Sequence, residues 1–367
     1  MNLRRYRCLS TPADSPVRRL AAICLLAWVA GCEPPNRDGP RLDAILAETP
    51  AERLSDYGFF VDEAGREPAD GLLSYDLINP LFSDYASKHR YVFIPDGQPA
   101  AYRDDDVFDF PVGSVLIKTF AFAPDLRSPE VGERFVETRL LIRARDGWKA
   151  YPYVWNADQS EAYYSPVGMR TSIKTLTPSG EAVELQYAVP NQNQCKTCHQ
   201  SGQALAPIGP TARSLNHEGP AGTNQIAHWT SLGMLTGAPS PEVIPAAPHT
   251  ADVSRSVEER ARAYLDINCS HCHKADGGAS NSGLFLRWTE EDPVGWGVRK
   301  HPTAAGRGAG QSRFVIEPGR PDESILLYRM ESTEPGVLMP ELGRSVVDEA
   351  GVRLVREWIA SMPQLSD

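Results

Sequence analysis

The chain has 367 residues, of which 41% are hydrophobic and 23% charged, so it is neither a disordered tail nor small enough for a single compact core. The formal charge is −10, from 47 acids against 37 bases; residues 1–31 hold five arginines and one acid, which leaves −14 on the remainder. A surface that acidic repels a phosphate backbone, and nucleic acid is excluded as a partner.

Arg18 and Arg19 precede an apolar run from Leu20 to Val29, too short to span a bilayer and patterned like the core of an export signal over residues 1–31. The run ends in Val29-Ala30-Gly31-Cys32, which resembles a bacterial lipobox. The resemblance implies lipidation at Cys32; a plain cleaved signal or a retained anchor are the alternatives. Residues 32–56 open on the Pro-rich stretch Glu33–Pro40 and read as a tether. No later segment is long and apolar enough for a transmembrane helix. The expected location is the bacterial periplasm or cell envelope, with membrane contact through the lipid anchor alone.

Residues 57–190 carry strand signals and little helical periodicity. Ser114 to Phe120 is a strand candidate, and Phe135–Arg145 and Trp148–Asn156 flank the hairpin pair Asp146-Gly147. Ser172–Thr177 and Ala182–Val189 flank Pro178-Ser179-Gly180 as a second hairpin. The expectation is an antiparallel β-rich domain. Within its first strand Lys118 shares a face with Leu116 and Phe120, where an amine must snorkel, pair or shift its proton affinity. The run Asp104-Asp105-Asp106 reads as a solvated loop.

Four cysteines remain beyond Cys8, Cys24 and Cys32, and they form two identical patterns: Cys195-Lys196-Thr197-Cys198-His199 and Cys269-Ser270-His271-Cys272-His273. This C-x-x-C-H pattern is the signature of c-type haem attachment. Two thiols one turn apart can each form a thioether with a porphyrin vinyl group, and the next residue then offers its imidazole to the iron. Two covalently bound haem c groups are therefore expected, with His199 and His273 as proximal ligands. A shared zinc site and paired redox disulfides compete less well, because neither explains a histidine after both pairs. His271 is expected to face solvent. The first pattern opens an attachment segment over 191–236, where Asn224 to Leu235 reads as a helix and Met234, His228 and His217 are candidate distal ligands; an open iron is the remaining alternative. Residues 237–251 read as a Pro/Ala linker.

Residues 252–367 begin with the capping pair Ser256 and Glu259, after which helical spacing delivers the chain to Cys269; Asp348 can cap a closing helix that carries Val352, Val355, Trp358, Ile359 and Met362. Between them lies Gly336-Val337-Leu338-Met339-Pro340. This arrangement resembles a small monohaem cytochrome c, and the resemblance implies an all-α C-terminal domain with Met339 as distal ligand and Met330 as fallback. In the β-rich part, Phe110 to Lys118 and Gly147 to Tyr153, followed by C-x-x-C-H, resemble the hydroxylamine-oxidising β-sheet cytochromes and cytochrome c-prime-beta. That resemblance implies a porphyrin bond at Lys118. The leading functional expectation is an exported dihaem electron carrier with redox partner proteins that present a basic docking face. The alternatives are a haem enzyme working on small nitrogen compounds or peroxide, and a gas-binding sensor, each with an open first haem and the second as relay.

Overall fold

The computed structural model describes residues 39–303 and 305–364, all within one compact unit, Pro35–Asp367. The export signal and Cys32 lie outside the described residues.

Six strands form one antiparallel sheet in chain order: Leu72–Ser74, Ser87–Phe93, Val115–Phe122, Arg134–Ala144, Gly147–Trp155 and Ala162–Tyr164. Side chains alternate across it with a period of two, so each strand feeds two different cores. Tyr91, Ile117, Leu140 and Tyr153 point to one face, which is closed by Leu54, Tyr57 and Phe59 from the segment that precedes the sheet. Polar atoms on this face are satisfied internally: the Tyr153 hydroxyl donates to Ala51 O at 2.8 Å, and Thr119 and Thr138 share a hydrogen bond of 2.7 Å.

The opposite face is covered in two patches. At one end Val92 and Leu116 pack with Tyr75, Phe108, Leu215 and Trp229. At the other end Phe120 and Phe122 pack with Leu185, Tyr187 and Val189 from a separate hairpin, Met169–Leu176 with Ala182–Val189. The row between the patches carries Arg90, Lys118 and Arg139 and faces a cavity.

Beyond the sheet the helix Gln225–Ser231 is capped by Asn224, whose side chain accepts from the backbone of Ile226 and Ala227. It stops before Leu235, because Gly233 takes a left-handed turn at φ 69°. The 237–251 segment is fastened along its length: Ile244 and Ala247 are buried, Asn216 donates to the carbonyls of Pro241 and Ile244, and Asn79 donates to that of Pro248.

The expected all-α C-terminal domain is corrected. The described residues build a six-stranded antiparallel sheet, and only 22% of them are helical, with the seven α-helices and the 3-10 turns taken together. After residue 252 the α-helices are Val257–Asn268, Ile325–Glu331 and Glu349–Ser361, separated by long loops and short 3-10 turns. Those loops are rich in Gly, Pro and Ser, break helical periodicity, and are held instead by arginine bonds to backbone carbonyls. Arg262 donates to the carbonyls of Arg287, Trp288 and Glu290, and Arg344 to those of Met330, Ser332, Met339 and Val346. The first and last helices do carry the expected caps. Ser256 and Glu259 close a capping box, and Asp348 accepts from Gly351 N at 3.0 Å. Gly351 is required where these helices meet, since a Cβ there would lie 2.2 Å from the Tyr264 ring.

Asp84, only 2% exposed, binds the C-terminal loop to the turn that leads into strand Ser87–Phe93: it accepts from Ser345 N at 2.6 Å, Ser345 Oγ at 3.0 Å and Val346 N at 3.1 Å. Asp84→Ala strands those donors and is expected to cost about 2–4 kcal/mol, read as a lower urea midpoint with an unchanged slope. Asp84→Asn, which keeps one acceptor oxygen, should lose less.

Lys88 carries a pH signature. Burial, and then Arg90 and Arg139, lower its pKa from 10.5 to about 7. The unfolded chain thus binds the extra proton between about pH 7 and 10.5, so the penalty is complete below pH 7 and disappears as pH rises through that window. Lys88→Met should therefore raise Tm at pH 7, and the gain over wild type should shrink towards pH 10 in paired thermal melts.

Candidate functional site

Both C-x-x-C-H patterns fold as a single tight turn, by different routes. The first follows strand Ala182–Val189 through a 3-10 turn locked by reciprocal bonds of 2.9 Å between Asn191 and Gln194, then forms the short helix Cys195–His199. The second begins where helix Val257–Asn268 ends, and the amides of Cys272 and His273 both return to Cys269 O, at 3.2 and 3.0 Å. A Cβ at Gly277 would lie 2.3 Å from Cys272 O, so glycine is required for the chain to fold back on this turn.

Each motif histidine has one nitrogen engaged. His199 Nδ1 donates to Ala206 O at 2.8 Å. His273 Nδ1 lies 3.3 Å from Ser282 Oγ, whose own proton goes to Ala279 O at 2.7 Å. Such a bond fixes the tautomer and leaves Nε2 as the free donor atom, as in histidines that bind metals. Burial lowers the pKa of both imidazoles to about 4, so both are neutral near pH 7. Burial also raises the Cys195 and Cys269 thiols, the latter to about 12.

Two cavities open beside these turns. One of about 530 Å³ is lined by Cys195, Cys198 and His199 on one side and by the sheet residues Leu116, Lys118, Arg139 and Tyr151 on another. The other, of about 510 Å³, is lined by Cys269, Cys272 and His273 together with Met330 and Met339. Both volumes suit a bound cofactor. Met339 is held at both ends of its peptide unit, since its amide donates to Arg329 O at 3.0 Å and Arg344 Nη2 donates to its carbonyl at 2.9 Å.

The cavities share a wall of Phe82, Cys198, Asn268, His271, Pro340 and Leu342. At this wall Cys198 Sγ and a His271 ring nitrogen meet Cys272 Sγ of the second cavity, all within 4.8 Å of one another. A shared hydrogen bond holds the Cys198 thiol low and pushes the Cys272 thiol up. The solvent-facing expectation for His271 is corrected: it is 8% exposed, and its Nδ1 is buried without a hydrogen-bond partner. It sits between the two turns because the motifs meet in space, which their long separation along the chain conceals.

Lys118 lines the first cavity, and Met339 and Met330 line the second with His273. Met234 packs against the Trp229 cluster and lines neither cavity. His217 is bonded to Glu218 O and Gln225, and His228 is half-buried on its helix; neither lines either of the two cavities. Sequence reasoning overlooked Met169, Arg90 and Arg139, which also line the first cavity. The alternation that singled out Lys118 carried a usable signal for Arg139, since both are cations on strands with buried alternate positions.

No protein-family model, curated protein or solved structure matches this chain. No helix among the described residues is long and apolar enough to cross a membrane.

Proposed function

We propose that the chain is a dihaem c-type cytochrome that passes electrons between redox partners outside the cytoplasm and is held at the membrane by lipid on Cys32. The observation that carries this reading is the pairing of each C-x-x-C-H turn with its own cavity, in which a neutral histidine keeps only Nε2 free. The residues fit the group: Cys195 and Cys198 in one cavity, and Cys269 and Cys272 in the other, would carry the thioethers. His199 and His273 would be the proximal ligands, and Met339 the distal ligand of the second site. Bound haem would supply a one-electron iron couple in each cavity, and a thioether ligand raises the potential of that couple.

The chain's own contribution is positioning. Ala206 O and Ser282 Oγ orient the two imidazoles, Arg344 grips the Met339 loop, and the approach of Cys198 to Cys272 brings the two attachment turns together. The acidic surface favours a basic partner that associates faster at low salt.

One observation favours a second reading. Cys198, His271 and Cys272 could hold a zinc ion. That reading uses three donors where a structural zinc site takes four, and it leaves His199, His273 and both cavities without a purpose.

Intact-mass analysis of protein matured with its haem-attachment machinery separates the two: two covalent haem additions are expected, and Cys195→Ala with Cys198→Ala should remove one of them. A colourless chain that carries zinc would overturn the proposal. Met339→Ala should create one additional carbon monoxide site per ferrous chain and lower the potential of one haem, measured by spectroelectrochemical titration.

A further inference from the structure

We propose that the cavity beside His199 also receives a small inorganic oxyanion of the nitrite class, held by Arg90, Lys118 and Arg139. The inference deepens the haem reading of that cavity and rests on it.

The three cations are direct neighbours on three adjacent strands. Arg90 is the register partner of Lys118, and Lys118 that of Arg139, and all three line the cavity. Like charges placed opposite one another destabilise a sheet, and burial increases the cost. The counter-charge inside the protein is Glu137, 0% exposed, and it is fully committed: it accepts from Arg139 Nε at 2.8 Å and Nη2 at 2.6 Å, and from the Tyr187 hydroxyl at 2.6 Å. Asp76 lies 3.8 Å from Arg90 but faces solvent. Lys118 Nζ stands 4.8 Å over the Phe120 ring and, among the described residues, has no ion pair or hydrogen bond. Arg90 is 5% exposed, and its Nη2 is buried without a hydrogen-bond partner.

One engaged carboxylate therefore faces three cations, and two of them keep unsatisfied donors beside the cavity. Burial and the neighbouring cations hold the Lys118 amine well below its usual range, a shift that an anion between the three would reverse. The walls beside the row are apolar, with Leu116 and Leu141, which strengthens a charge-assisted bond. Size limits the anion. A cavity of about 530 Å³ that also takes a macrocycle has room for only a few further heavy atoms. The cofactor's own carboxylates are the other source of anionic oxygen. Arg139 acts electrostatically on Cys195, the thiol that would bond a vinyl group, and propionates leave the macrocycle from the opposite edge.

The test uses full-length protein that intact mass shows to carry two haems. Nitrite titrated into the ferric form should saturate at one equivalent per chain, in both the Soret spectrum and calorimetry. Lys118→Met and Arg90→Met should each weaken it about tenfold or more, and Lys118→Arg should preserve it. Lys118→Met removes a like charge, so its Tm should hold or rise, which separates lost binding from lost folding. The inference is overturned if haem-loaded protein ignores nitrite, or if Lys118→Met binds it as tightly as wild type. It is equally overturned if nitrite is silent while Lys118→Met shifts one haem potential, because the row then serves the cofactor's carboxylates. A chain with no attached haem sinks the haem reading instead; calorimetry on it still decides whether the three cations take nitrite.

Discussion

Where the turn Cys195–His199 meets the turn Cys269–His273, Cys272 Sγ lies 3.3 Å from Thr197 O, and the rest of the site depends on that close approach. The residues that follow each turn are stitched together around it. Gly202 N donates to Asp276 O at 2.8 Å, Lys274 Nζ reaches Ser201 Oγ at 3.3 Å, and the Ser201 hydroxyl donates to the Asp276 carboxylate. Side chains on both flanks hold the approach in place, with Asn268 accepting from Phe82 N at 2.8 Å and Arg213 paired with Asp266 at 3.2 Å. Without this convergence each cavity would lose one wall, since Cys198 and His271 line both.

The sheet explains why the first cavity exists. A β-sheet face buries its apolar side chains only where another layer covers them. Here the Trp229 cluster covers one end and the Tyr187 hairpin the other, and the stretch between them is cationic. Apolar side chains could not close over Arg90, Lys118 and Arg139 without stranding their donors. The second cavity has a different character: methionine and leucine line it, and its two arginines, Arg329 and Arg344, are both spent on backbone carbonyls. One chain thus presents two chemically distinct environments to the same kind of motif.

The departures from sequence expectation share a cause. His271 reads as a loop residue because nothing local buries it; the first motif, far away along the chain, does so. The 237–251 segment has linker composition, yet Asn79 and Asn216 bond to its carbonyls and seat it on the body. The C-terminal part has the capped helices that its sequence suggests, but its loops owe their order to Arg262 and Arg344, and arginine bonds to carbonyls leave no periodic trace. Met234 sits at a plausible spacing from the first motif, and the apolar cluster around Trp229 claims it.

Local chemistry was legible in the amino-acid order alone: the two thiol-histidine turns, the capped helices that start at Val257 and Glu349, and the hairpin around Asp146 and Gly147, where strand Arg134–Ala144 returns as Gly147–Trp155. Each depends on neighbours a few residues apart, and so on spacing. Tertiary structure decided which cavity each turn faces, that the turns touch, and that three cations from separate strands form one row. Those facts arise from strand register and from contacts between distant segments, which composition and periodicity do not encode.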